Sequence, residues 1–219
     1  MARKPSGRCR RREARVCWDR DQSAAGTVMP QPPHISRLPV PDTAALDADL
    51  QKYFRKCQEK LGLVPNVLRA YAFRPARLRN FISLYNELML SEDSGLSILE
   101  REMIAVVVSS CNRCYYCLIA HGQAVRELSG DPQLGEMLVT NYRVAPLAPR
   151  QRAMLDFAYR LTSSPEAVGE ADRQALRDAG FSDADLFDLG EVVAFFNYSN
   201  RMAQALDLMP NPEYHALHR

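Results

Sequence analysis

SILEREMIAVVVSSCNRCYYCLIAH (97–121) is the run whose reading decides the fold. Ser97 and Glu100 have capping-box spacing, in which hydroxyl and carboxylate each accept from the other residue's backbone N–H and so start a helix. The apolar residues that follow, MIAVVV, are continuous rather than alternating. Val106–Val108 alone would suit a strand, but the 3.6-residue spacing on either side favours a helix running towards Ser109. Asn112-Arg113 fits a tight turn. A second helix then starts near Cys114 and ends around Leu128, before Ser129-Gly130-Asp131-Pro132. The run is therefore read as an antiparallel helical hairpin.

The same signals continue outward. Upstream, Asp42 or Thr43 can cap a helix to about Leu61, ended by Gly62; a short helix follows Val64-Pro65-Asn66 through Tyr71. A third starts at Arg74-Pro75, with Leu78, Phe81, Ile82, Tyr85, Leu88 and Met89 at helical spacing. Downstream, Pro149 opens a helix through Leu161, a shorter one covers 168–178 and ends at Gly180, and Ser182 caps a long one through Leu208. No convincing strand occurs, so the class is all-α with short connections and antiparallel neighbours. One internal echo stands out. GLSILEREMIAVVVSSCN (95–112) lies over GFSDADLFDLGEVVAFFN (180–197), with Ser97 over Ser182 and Asn112 over Asn197; it is either a duplicated hairpin or a chance likeness of helices.

Charge is unevenly spread. Residues 1–28 hold eight Lys/Arg and three Asp/Glu, while the remainder holds twenty against twenty-three, a net of −3 within an overall +2. The body is mildly acidic and offers no electrostatic footprint for nucleic acid. No apolar stretch approaches the ~18 residues of a membrane span, and a cytoplasmic protein is expected. Residues 1–28 are expected to form a disordered basic tail, with Met29 as an alternative start, and 29–219 a single all-α domain. Glu13, Asp19 and Asp21 count against an organellar transit peptide. Trp18 falls in the tail and is expected to add nothing to the core.

The six cysteines are Cys9, Cys17, Cys57, Cys111, Cys114 and Cys117. Three crowd into 111–117, which in an intracellular chain points to redox or metal chemistry rather than a disulfide framework. Cys114, Cys117 and His121 are spaced i, i+3 and i+7 and share one helix face. Cys114 falls in the first turn, where open N–H groups and the macrodipole favour a thiolate. Glu102 lies about ten residues before the turn and His121 about nine after it, so at ~1.5 Å per residue they fall at nearly the same height. A Glu102–His121 contact would fix the imidazole tautomer beside the dithiol. Zinc is the alternative: Cys111, Cys114, Cys117 and His121 could nominally supply four ligands. Cys57 and Cys111 read as small buried hydrophobes or bystanders.

Glu-x11-Cys-x-x-Cys-x3-His, here Glu102, Cys114, Cys117 and His121, resembles the alkylhydroperoxidase D-like family of the carboxymuconolactone decarboxylase superfamily. The likeness to its peroxidase-related subfamily rests on LGLVPNVLRAYAFRP (61–75), SSCNRCYYCLIAHG (109–122) and FFNYSNRMAQALDL (195–208), and covers about 30–212. It implies an all-α bundle that assembles into trimers or hexamers, and a thiol peroxidase or disulfide reductase without haem, metal or other cofactor. It also implies roles. Cys117 attacks a hydroperoxide and becomes a sulfenic acid, Cys114 resolves it as a disulfide, and His121, oriented by Glu102, is general base through a water. An external dithiol, such as a lipoyl-bearing protein, would reduce the disulfide. Relatives carry a second His just before the second cysteine; this chain has Tyr116, and a phenol of pKa ~10 is a poor base at neutral pH. Helix position alone, by contrast, makes Cys114 the lower-pKa thiol. Rival readings remain: a non-catalytic redox sensor or oligomeric interaction protein, which consumes one equivalent of peroxide; a disulfide reductase; and a lactone decarboxylase or isomerase, which would need no dithiol.

Overall fold

The computed structural model describes residues 31–219; residues 1–30, with Cys9, Cys17, Trp18 and the expected tail, lie outside them. Nine α-helices and four 3₁₀ turns make up the described residues, and no strand occurs among them. The helices are α1 (Ala48–Leu61), α2 (Asn66–Tyr71), α3 (Pro75–Leu90), α4 (Ile98–Cys111), α5 (Tyr115–Ser129), α6 (Pro132–Asn141), α7 (Pro149–Ser163), α8 (Glu170–Asp178) and α9 (Asp183–Ala205).

The centre of the fold is α4. Every residue from Glu100 to Ser109 is buried, and the helix touches α3, α5, α6, α7 and α9. This explains the run MIAVVV: a helix covered on all sides needs no polar stripe, so its sequence loses the amphipathic pattern. The Ser97/Glu100 capping box is formed, with Ser97 Oγ accepting from the Glu100 amide at 3.2 Å and Glu100 Oε2 from the Ser97 amide at 2.9 Å. At its other end the chain reverses through Arg113, whose φ of 55° is left-handed. The Cys114 amide reaches back to Ser109 O at 3.0 Å and closes the helix. The chain then enters α5, and α4–α5 is the expected antiparallel hairpin.

The echo has a spatial counterpart. Ser182 and Asp185 form a second capping box at the start of α9. Arg150, from α7, donates to both Gly95 O and Gly180 O, which join the two helix starts. Further along, Asn112 Nδ2 donates to Asn197 Oδ1 at 3.0 Å. Helices α4 and α9 therefore run parallel, with the aligned positions side by side.

The structure departs from the sequence reading in three places. The helix expected from 42/43 to 61 is a 3₁₀ turn (Thr43–Ala45) followed by α1, since Leu46 adopts an extended conformation. The last helix ends at Ala205, where Asp207 turns left-handed at φ 49°. Helix α6 was not expected at all. It starts directly after the Gly130-Asp131 break, and Gly135 interrupts its pattern. That glycine has a packing reason: a Cβ there would come within 2.7 Å of Arg126 Cγ and 3.2 Å of Gly122 O, so α6 lies against α5 through two glycines.

Residues 31–41 form an irregular segment with several bends and tie to the end of α9: His34 and Arg37 each contact Asp207 Oδ2 at 2.9 Å. The following segment docks on α2, where Asn211 Oδ1 accepts from the Asn66 amide at 2.7 Å. Val67 and Leu68 of α2 and Tyr214, Leu217 and His218 beyond this fastening line the site.

Candidate functional site

The hairpin delivers its four residues to one place. His121 Nδ1–H donates to Glu102 Oε2 at 2.6 Å across α4 and α5, with side chains only 14% and 6% exposed. Since a carboxylate only accepts, the proton is held on Nδ1 and Nε2 is left as the acceptor. The Phe196 ring meets the imidazole edge-on, centroids 4.7 Å apart, and fixes its plane.

Cys114 is the N-cap of α5 rather than a residue of its first turn. Cys114 and Cys117 are both free thiols and both buried. The Cys117 thiol hydrogen-bonds to the Cys114 sulfur and holds Cys114 below the ordinary thiol range; burial opposes this, while the amides of Cys117 and Tyr116 and the nearby His121 assist. The same contact, with burial, pushes Cys117 well up. Of the two thiols, Cys114 is thus the one that ionises first, and Cys117 the one that keeps its proton longer.

Behind Cys117 is a polar cluster that sequence reading did not single out. Asn200, completely buried, donates from Nδ2 to Ser109 Oγ at 3.0 Å and accepts from Asn112 Nδ2 at 3.0 Å. Asn200 and Ser109 both face the Cys117 sulfur and favour its thiolate, against the larger opposing influences. Ser109, at the end of the apolar run MIAVVV, offered a weak signal; Asn200 sits among Asn197, Ser199 and Arg201 and offered none.

In front of Cys117 opens a cavity of about 560 Å³, walled by α1, α2, α3, α5, α9 and residues 214–218. Cys117, His121 and Glu102 line it; Cys114 does not. Tyr116 lines it too, and its hydroxyl accepts from the Val67 amide at 3.1 Å, tying α5 to α2. Burial raises that phenol well above its ordinary range, so at neutral pH it anchors the wall and takes no proton.

Among the described residues no three His, Cys, Asp or Glu side chains converge as a metal-ligand group, and no helix is long and apolar enough to cross a membrane. Cys57 is buried and lines the cavity, while Cys111 is half-buried at the end of α4; desolvation raises both thiols.

Residues 75–160 match the carboxymuconolactone decarboxylase family. The chain is 59% identical to a peroxidase-related protein from Silicibacter sp. TM1040, with a TM-score of 0.82 over 89% of this chain and 100% of that one. It is 44% identical to a peroxidase-related protein with an alkylhydroperoxidase core from Ralstonia eutropha JMP134, again with a TM-score of 0.82, over 85% and 97% of the two chains. The debrominase Bmp8, solved with 2,3,4-tribromopyrrole, shares the fold at 18% identity and a TM-score of 0.69, over 83% of this chain and 94% of that one. No curated protein matches.

Proposed function

The chain belongs to the carboxymuconolactone decarboxylase superfamily, in its alkylhydroperoxidase D-like, peroxidase-related branch, and from that premise we propose that it is a thiol-dependent peroxidase working through Cys114 and Cys117. The observation that carries this reading is the convergence of Cys117, His121 and Glu102 on one cavity with Cys114 directly behind.

Cys117 is the thiol a substrate in the cavity can meet. His121 Nε2 takes its proton, directly or through a water, and Cys117 attacks the outer oxygen of the hydroperoxide. The O–O bond breaks, the alcohol leaves with that proton, and Cys117 becomes a sulfenic acid. Cys114, whose pKa is held below the ordinary thiol range, attacks the Cys117 sulfur as its thiolate. An S–S bond forms and hydroxide leaves, protonated to water. An external dithiol, such as a lipoyl group on a partner protein, returns the pair to the reduced form. Glu102 stabilises the imidazolium in between. We place the protein in the cytoplasm, as a trimer or hexamer. The exposed apolar side chains of Leu90, Val144 and Phe187 suit such packing.

One observation favours a second reading. The thiol facing the cavity is the one whose pKa is raised, which slows attack on peroxide and suits a disulfide reductase or a sensor. Hydroperoxide consumption by wild type, Cys114→Ser, Cys117→Ser and His121→Ala, with dihydrolipoamide or dithiothreitol as reductant, separates the two. Repeated turnover abolished by either cysteine change supports the peroxidase, with sulfenic acid trapped on Cys117 in the Cys114→Ser protein. A single turnover with a readily reducible Cys114–Cys117 disulfide refutes it in favour of the sensor or reductase.

A further inference from the structure

The cavity is far larger than hydrogen peroxide requires. A water-sized molecule needs ~30 Å³, while a cavity of about 560 Å³ falls within the range of pockets that hold organic ligands. Its wall is aromatic and mutually packed. Phe81 and Phe195 have centroids 5.5 Å apart, and Tyr85 lies 6.4 Å from the first and 6.1 Å from the second. These rings support one another, so the shape is built into the fold rather than made by a ligand.

The outer side is different. Lys56 and Lys60, one helical turn apart on α1, are both exposed and both line the cavity. The ion pairs of α1 and its cap belong to Asp49 and Asp47 with Arg79, so the two ammonium groups are unpaired among the described residues. The other charged or titratable residues there are accounted for. Glu102 is bonded to His121; Glu127 accepts from Gln123 at 2.9 Å and lies 3.6 Å from His218. The cavity therefore has an apolar, aromatic interior, a redox centre at one end and a surplus of positive charge at the mouth.

We propose that this cavity binds an amphipathic organic acid: an apolar, ring-bearing body against Phe81, Tyr85 and Phe195, with its carboxylate held by Lys56 and Lys60. That such a molecule carries the group reduced at Cys117 rests on the peroxidase reading above; that it binds does not.

The test uses 4-isopropylbenzoate and its neutral counterpart, 4-isopropylbenzyl alcohol, titrated by calorimetry into the reduced full chain. Neither ligand is an oxidant, so a failed peroxidase reading leaves this experiment intact. Wild type is expected to bind the acid about fivefold more tightly than the alcohol at low salt, the worth of two partly solvated lysines. That preference shrinks as salt is raised. In the Lys56→Ala/Lys60→Ala protein the preference disappears while alcohol binding is unchanged. Bound acid also slows alkylation of Cys117 and leaves Cys111 unaffected, which locates the ligand. Ala124→Trp, filling the cavity from α5, weakens both ligands. Equal affinity for acid and alcohol in wild type, a preference that survives the double substitution, absence of binding, or no protection of Cys117 would each overturn the proposal. If Ala124→Trp does not fold, the surface lysine substitutions still decide.

Discussion

Glu102→Gln isolates what the carboxylate does for His121. The two shapes are the same, and the hydrogen bond at 2.6 Å is buried. A hydrogen bond to a charged acceptor contributes about 1.5–3 kcal/mol and one between neutral groups about 0.5–1.5 kcal/mol, so the change removes about 1–1.5 kcal/mol. At about 1.4 kcal/mol per factor of ten, this predicts a loss of about tenfold in the rate of sulfenic acid formation on Cys117. The tautomer adds to the loss. An amide can donate as well as accept, so the ring can flip its proton to Nε2, where it can no longer take one from Cys117. Glu102→Ala goes further, leaving a buried imidazole without a partner, and about 30–150-fold is expected from a loss of about 2–3 kcal/mol. The assay is single-turnover oxidation of the Cys114→Ser protein by cumene hydroperoxide, followed by trapping of the sulfenic acid, with thermal unfolding as the check on folding. A rate unchanged by Glu102→Gln in a folded protein would refute the orienting role.

Three further outcomes follow from the geometry. Thiolate absorbance of the reduced protein should rise in two separated steps, Cys114 below the ordinary thiol range and Cys117 well above it. Cys117→Ala should move the first step upward, and a single joint step at the ordinary value would exclude this order of ionisation. By linkage, Cys114 contributes stability above its unfolded pKa of ~8.5 that is lost as pH falls, and Cys117 contributes stability below ~8.5 that is lost as pH rises. Burial raises the phenols of Tyr71, Tyr85, Tyr116, Tyr142 and Tyr214. Their stabilising contribution is present below their unfolded pKa of ~10 and is lost above it, so tyrosinate absorbance should appear together with unfolding; stepwise ionisation of a folded protein would contradict this. Gly95→Ala would drive a Cβ into the Asp185 carboxylate that caps α9, with a cost of about 1–2 kcal/mol and a melting temperature lower by about 2–8 °C. Gly190→Ala, with nothing near its Cβ, should raise the melting temperature through helix propensity; the reverse order of these two variants would count against the packing described.

Much of this molecule was legible in its residues because the signals are local. A capping box, a helix-period run and a two-residue turn fix the hairpin, and the hairpin fixes the distance between Glu102 and His121 through helical rise alone. Cys-x-x-Cys-x3-His needs only one helix to share a face. What remained hidden is what contacts between remote segments decide. Helix α6 starts directly after the Gly130-Asp131 break and lies against α5 through Gly122 and Gly135, a pairing that no local signal shows. Asn200, on a helix about ninety residues downstream, reaches Ser109 and faces Cys117 only because α4 and α9 lie parallel. Helix position points to Cys114 as the lower-pKa thiol, and the amides at the start of α5 do act in that direction, but the larger cause is the Cys117 side chain beside it. That Cys117 faces the cavity while Cys114 faces away depends on α1, α2, α3 and the C-terminal segment closing around one side of α5. The sequence by itself determined which groups meet along one hairpin; the tertiary structure decided which of them meets a substrate, because a cavity belongs to several packed elements and to none of them alone.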